Sequence, residues 1–185
     1  SSNPKLCTLL ESIKAVVVRK GSSEFSKSYE EFIITLFIGQ DAHLIRGLYL
    51  WLMIANKLSQ SWYEEQHLIP NPHWTFCSLL ERIGYSSHLI VDWLVSPETE
   101  MLLYLVPGPP ILLTGTDMSL PPSGETADLV WPRRDVCHFL VRLLRCLETL
   151  HEHGNIPFNP KALLRSLEIA VHTLEMLENS SNSGS

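Results

Sequence analysis

Apolar residues recur along most of this chain at intervals of three and four, the period of an amphipathic helix, and almost nowhere in the strict alternation of a half-buried strand. The pattern is sharpest from Asn71 to Leu105. Phe76, Leu79, Leu80 and Ile83 fall on one helical face, and Leu89, Ile90, Trp93 and Leu94 fall on the next. Boundary signals cut these stripes apart. Asn71 can accept from the first unpaired amides of a helix, Pro72 suits the first helical position, and Gly84 supplies a left-handed stop. Ser96-Pro97 repeats the start signal. The spacing therefore predicts helix, turn, helix, turn, helix, and neither of the first two helices can bury its stripe alone.

The same reading extends in both directions. Leu6, Leu9, Leu10, Ile13 and Val17 predict a first helix from about Pro4 to Lys20, ended by Gly21. Ser28 with Glu31 forms a capping-box pattern before a second stripe of Phe32, Ile33, Leu36 and Phe37, closed by Gly39. Asp41 opens a third helix, whose apolar residues from Leu44 to Leu58 surround its axis, so it is expected to be the most buried helix and the central pillar. After Leu105 the character changes. Six of the twelve prolines lie between Pro107 and Pro132 together with Gly108, Gly115 and Gly124, which predicts a Pro/Gly-rich loop over 107–134.

Beyond that loop, Asp135 is expected to cap a helix with Val136, Phe139, Leu140, Leu143, Leu144, Leu147 and Leu150 on one face, stopped by Gly154. Asn159-Pro160 then opens a last helix, with Leu163, Leu164, Leu167, Ala170, Val171, Leu174 and Leu177 on its buried side. The fold class expected is all-α: a stack or bundle of seven to eight helices forming one domain over residues 1–178, with a disordered Ser- and Asn-rich tail over 179–185. Ile111 to Leu113 is too short a candidate strand to change this.

Composition narrows the picture without adding chemistry. At 185 residues, 45% hydrophobic and 18% charged, the chain can build one sizeable core. A net charge of −6 argues against binding nucleic acid through overall electrostatics. The longest apolar run, Gly47 to Ala55, is far short of the ~20 residues a spanning helix needs, so no membrane span and an intracellular location are expected. Cys7, Cys77, Cys137 and Cys146 are widely spaced without a CxxC, which favours reduced core thiols over a metal site or a disulfide framework. A secreted bundle stapled by those cysteines is the competing class. The chain starts at Ser1 and its first helix begins almost at once, which suggests a piece of a longer protein.

No catalytic or cofactor signature emerges. His151 with His153, and Cys137 with His138, sit at spacings that point the side chains apart on a helix, so no metal or cofactor is expected. His88 and Asp92 share a face, but no nucleophile motif accompanies them. A helical enzyme would require such groups, His43 among them, to converge from distant segments. The one charge pattern of note is a possible partner face formed by Arg134, His138, Arg142 and Arg145, which step by four, four and three and precede Glu148 and Glu152. Cations first and carboxylates last oppose the helix macrodipole. Counter-charges from a neighbouring helix, such as Glu168 or Glu175, are the simpler explanation, and a docking face for an acidic peptide is the alternative. Trp131 in the loop is either an anchor packed onto the helices or part of that contact.

The segment NPHWTFCSLLERIGYSSHLIVDWLVSPETEMLLYL resembles the C-terminal region of the Lines family of animal developmental regulators. FIGQDAHLIRGLYLWLMIANKL and HGNIPFNPKALLRSLEIA also look like family segments in the same order, so the similarity covers about residues 32 to 106 and 136 to 171. The most specific elements are Asn71-Pro72-His73, Ile83-Gly84, Ser96 to Thr99, and Pro157 to Leu164. The resemblance implies an armadillo-like helical scaffold, cytoplasmic and nuclear, that acts in Wnt-type patterning by holding other proteins, including transcriptional regulators. It implies no enzyme, and this chain would be a fragment lacking the family's larger N-terminal half. Relatives also continue the helix after Ser96 to Thr99 into a basic end and a long Ser-rich acidic insertion. Here Pro107-Gly108-Pro109-Pro110 and a short loop stand in that place.

Overall fold

A computed structural model describes residues 4–21, 29–37, 39–58, 70–106 and 132–182, and these form eight helices with no strand among them. The order is α1 (Pro4–Gly21), α2 (Tyr29–Leu36), α3 (Asp41–Leu58), α4 (Pro72–Arg82), α5 (Ser87–Val95), α6 (Met101–Leu105), α7 (Arg133–Glu152) and α8 (Lys161–Asn182). The all-α class and the helix count agree with the periodicity. One buried cluster runs through α2 to α8, with Phe76, Leu80, Ile90, Met101, Leu105, Phe139, Leu143 and Leu167 all fully enclosed. Phe76 and Tyr104 meet inside it, ring centroids 6.1 Å apart at a tilt of 55°. A satellite cluster of Ile33 with Ile13 and Phe32 joins α1 to α2.

Most of the local boundary chemistry is where the sequence places it. The Asn71 carboxamide oxygen accepts from the backbone N–H of His73 at 2.9 Å and of Trp74 at 3.4 Å, and Pro72 occupies the first helical position. At the far end of α4, Tyr85 N–H bonds to Leu80 C=O at 2.8 Å and Gly84 N–H to Glu81 C=O at 3.0 Å, with Gly84 at φ +61°. This is the Schellman arrangement, which needs a left-handed residue just past the helix. It recurs at the end of α7, where Asn155 N–H reaches Leu150 C=O and Gly154 N–H reaches His151 C=O, with Gly154 at φ +68°. Asn159 accepts from Lys161 N–H at the start of α8.

Several expectations are corrected. α3 is not the most enclosed helix: Leu50 and Met53 are exposed, because α3 packs mainly against α4 and α6 and one side has no covering helix among the described residues. That position belongs to α4, which buries Pro72, His73, Trp74, Thr75, Phe76, Cys77, Leu79 and Leu80 between its neighbours α2 and α3. Leu9 and Leu36, assigned to buried stripes, are 55% and 59% exposed. In α2 the inward positions are Glu30, Ile33 and Ile34, because this short helix is held between α1 and α4 and is covered from two directions.

Ser96 does not cap α6. It ends α5, where its N–H reaches Asp92 C=O, and its hydroxyl accepts from Glu98 N–H in the turn that follows; α6 begins only at Met101, after Glu100, without a side-chain cap. α5 is capped instead by Ser86, which accepts from Leu89 N–H. Asp135 is not the cap of α7. That helix starts two residues earlier, after Pro132, and Asp135 sits exposed in its first turn, where a carboxylate still favours the helix dipole. Residues 133–134 are therefore helical rather than loop. α8 runs to Asn182 and takes in the first residues of the expected disordered tail, since extending an established helix needs no new nucleus. Ser28, the side chain of Cys7, Trp131 and the rest of the 107–131 segment lie outside the described residues.

Candidate protein-docking surface

α7 is held by its apolar face against α5 and α8, with Val136, Phe139, Leu140, Leu143 and Leu147 buried. The opposite face meets water. Arg134, His138, Arg142 and Arg145 are all exposed on that side, as are Glu148 and Glu152. None of these six makes an ion pair among the described residues. The internal counter-charges suggested for Glu168 and Glu175 are therefore not formed; those side chains are themselves exposed on α8.

Arg142 differs from the others in this stripe. Its guanidinium donates to the Tyr85 carbonyl at 3.2 Å, bracing the turn between α4 and α5 in which Gly84 and Tyr85 both have positive φ. Tyr85 is half-buried against the same part of α7. Burial raises its phenol to about 12, with the Asp135, Cys77 and Glu81 charges adding in the same direction. Arg142 and Asp135 thus face the Tyr85 turn, while Arg134, His138 and Arg145 stand on the crest.

The groups considered for catalysis or metal binding do not assemble. His43 is exposed on α3, and His88 and Asp92 are exposed on α5. His151 and His153 close the end of α7, where the His153 ring nitrogen lies 2.6 Å from Thr149 C=O. Adjacent Cys137 and His138 point to opposite environments, one buried and one exposed. Among the described residues no group of three or more His, Cys, Asp or Glu could hold a metal ion. Cys77, Cys137 and Cys146 carry thiols rather than disulfides.

Two long-range polar connections escaped the sequence reading. Glu30, fully enclosed on α2, accepts from Asn71 N–H at 2.9 Å and so fastens α2 to the start of α4. Asp41 accepts from the Trp93 indole N–H at 3.0 Å, tying α3 to α5. Asp41 had a legible role as a helix opener, but nothing in the letters marks Glu30 as buried. His73 is also enclosed, 2% exposed beside the Trp74 ring, and burial lowers it to about 4.

The described helices form a packed all-helical protein with an exposed, charged crest on α7. Residues 4–107, more than half of the chain, match the family model described as Lines N-terminus, and the chain belongs to the Lines family. It is similar to Protein lines of Drosophila melanogaster, 36% identical over 80 residues, an alignment covering 42% of this chain and 9% of that protein. The family is the one the sequence resembles; the matching model carries the N-terminal description rather than the C-terminal one. It ends before α7, so the crest lies outside the matched span. No solved structure matches the chain. Among the described residues no helix is long and apolar enough to cross a membrane.

Proposed function

We propose that this chain is a non-enzymatic, armadillo-like scaffold module that holds other proteins, transcriptional regulators among them, in Wnt-type developmental signalling in the cytoplasm and nucleus. Family membership supports the developmental context. The observation that carries the binding role is the α7 crest, where Arg134, His138 and Arg145 stand exposed without an internal ion pair among the described residues. Unpaired cations on a rigid helix offer fixed, desolvation-cheap contacts to carboxylates, which favour on-rate and specificity more than raw affinity. No cofactor enters this reading, and neither nucleic acid nor a membrane is its target.

The test compares wild type with a His138→Glu, Arg145→Glu variant by proximity labelling or pull-down from cells. Both side chains are exposed and neither braces the fold, so the thermal melt should stay within about 0.5 kcal/mol of wild type. Captured partners should be lost. A variant that keeps every partner, or a wild-type chain that captures none, would remove the crest as the docking face.

A further inference from the structure

The turn from α5 to α6 holds Ser96-Pro97, and Ser96 is the only serine or threonine in the chain that precedes a proline. A proline ring forces the residue before it out of the helical region, and Ser96 accordingly stands extended, at φ −74° and ψ 125°, where α5 ends. Other hydroxyls are placed differently. Ser12, Thr35, Thr149 and Thr173 lie within helices and donate to the carbonyl four residues back, on backbone that cannot extend without unwinding a turn. Ser86 is engaged as the cap of α5. Ser96 is half-buried, but its hydroxyl takes part in an exposed bond from Glu98 N–H, and at 3.4 Å that bond is long enough to give way at little cost. Pro97 and Glu98 are themselves exposed.

An extended Ser-Pro pair in an open turn is the form in which a proline-directed serine/threonine kinase takes its acceptor. From this placement we propose that Ser96 is a phosphorylation site for a kinase of that class. Trp93 and Leu94 stay packed in α5, so recognition falls on the hydroxyl and the two residues after it. In the transfer, Ser96 Oγ attacks the γ-phosphorus of the magnesium-bound nucleoside triphosphate. The bond from that phosphorus to the bridging oxygen of the β-phosphate breaks, the nucleoside diphosphate leaves, and the hydroxyl proton passes to the kinase's base. The product carries about −1.5 to −2 of new charge. It stands in a turn that already holds Glu98 and Glu100, the latter 3.8 Å from Arg46 of α3. The modification thus makes this turn a strongly acidic feature of the surface. The α7 crest takes no part in it, so this inference and the docking reading can fail independently.

Incubating the full 185-residue chain with a purified proline-directed kinase and Mg·ATP tests this, with the site mapped by peptide mass spectrometry. The expected result is phosphate on Ser96 of the folded chain, and isoelectric focusing should show the net charge moving from −6 to about −8. Ser96→Ala should abolish that product, Ser96→Thr should keep it, and Pro97→Ala should slow it ~10-fold or more by emptying the kinase's proline subsite. Circular dichroism confirms that each variant keeps its fold. No incorporation at Ser96, or a rate indifferent to Pro97→Ala, would overturn the site. So would a reaction confined to the destabilised Trp93→Ala chain, because the turn would then be out of reach in the folded protein.

Discussion

Trp93 shows how much one side chain does here. It is 6% exposed, its indole N–H is satisfied by Asp41, and its carbonyl accepts from the Thr99 hydroxyl, so it joins α3, α5 and the turn before α6. Trp93→Ala should lower stability by about 3 to 5 kcal/mol in denaturant unfolding, the range for emptying a packed aromatic site. A loss under about 1 kcal/mol would show that the site collapses or is open to water. The pH dependence rests on His73. Its enclosed ring is lowered from 6.5 to about 4, so between those values the unfolded chain binds a proton that the folded chain refuses. Stability tied to the neutral ring is present above pH 6.5 and is lost as pH falls towards 4, to a total of roughly 3 kcal/mol. Chemical denaturation of His73→Gln across that window should have a flatter pH profile, and a profile as steep as wild type would assign the loss to other groups.

At the scale of elements, helix ends were legible where one residue does a local job. Gly84 has φ +61°, and a Cβ there would meet nothing within 4 Å, so Gly84→Ala isolates the backbone cost from any clash. That cost should be about 1 kcal/mol, read as a lower midpoint with an unchanged denaturant slope. The Asn71 cap is worth a similar amount by itself, about 1 kcal/mol on replacement by Ala. Its N–H also donates to buried Glu30, a link that Asn71→Ala leaves intact and Glu30→Gln weakens. If Glu30→Gln costs no more than a surface substitution, about 0.5 kcal/mol, the α2–α4 link is not structural. The elements that misled are those covered from two sides. α2 presents Ile33 to α1 and Ile34 to the main core, so its outward residue is Leu36, a position that a single-stripe reading places inside. Periodicity identifies an apolar face but not the number of neighbours covering it.

For the molecule as a whole, the buried cluster is continuous from α2 to α8, and the Ser166 hydroxyl adds a bond to the Val106 carbonyl that holds α8 to the end of α6. Unfolding should therefore be one cooperative transition, with tryptophan fluorescence and far-ultraviolet circular dichroism superimposing. Two separated transitions would show that α7 and α8 form an independent unit. Exchange of amide hydrogens should be fastest in α1, which is attached through the small Ile13, Phe32 and Ile33 cluster. The surface pair Arg46–Glu100, 3.8 Å apart and largely solvated, contributes little to this cooperativity.

The candidate surface divides along the same line. A repeat of four, four and three placed Arg134, His138, Arg142 and Arg145 on one side of one helix, because that follows from the helical period alone. It could not say that Arg142 turns aside to the Tyr85 carbonyl, or that Glu168 and Glu175 make no ion pair with the rest among the described residues, since both depend on where α5 and α8 pack. By itself the sequence determined the all-helical class, most boundaries and the apolar side of the long helices, all set by interactions within a few residues. Only the tertiary structure decided which helix is enclosed, which polar groups find partners 41 and 52 residues away, and which charges remain for another molecule. Those outcomes come from contacts between segments remote in the chain, which no local period encodes.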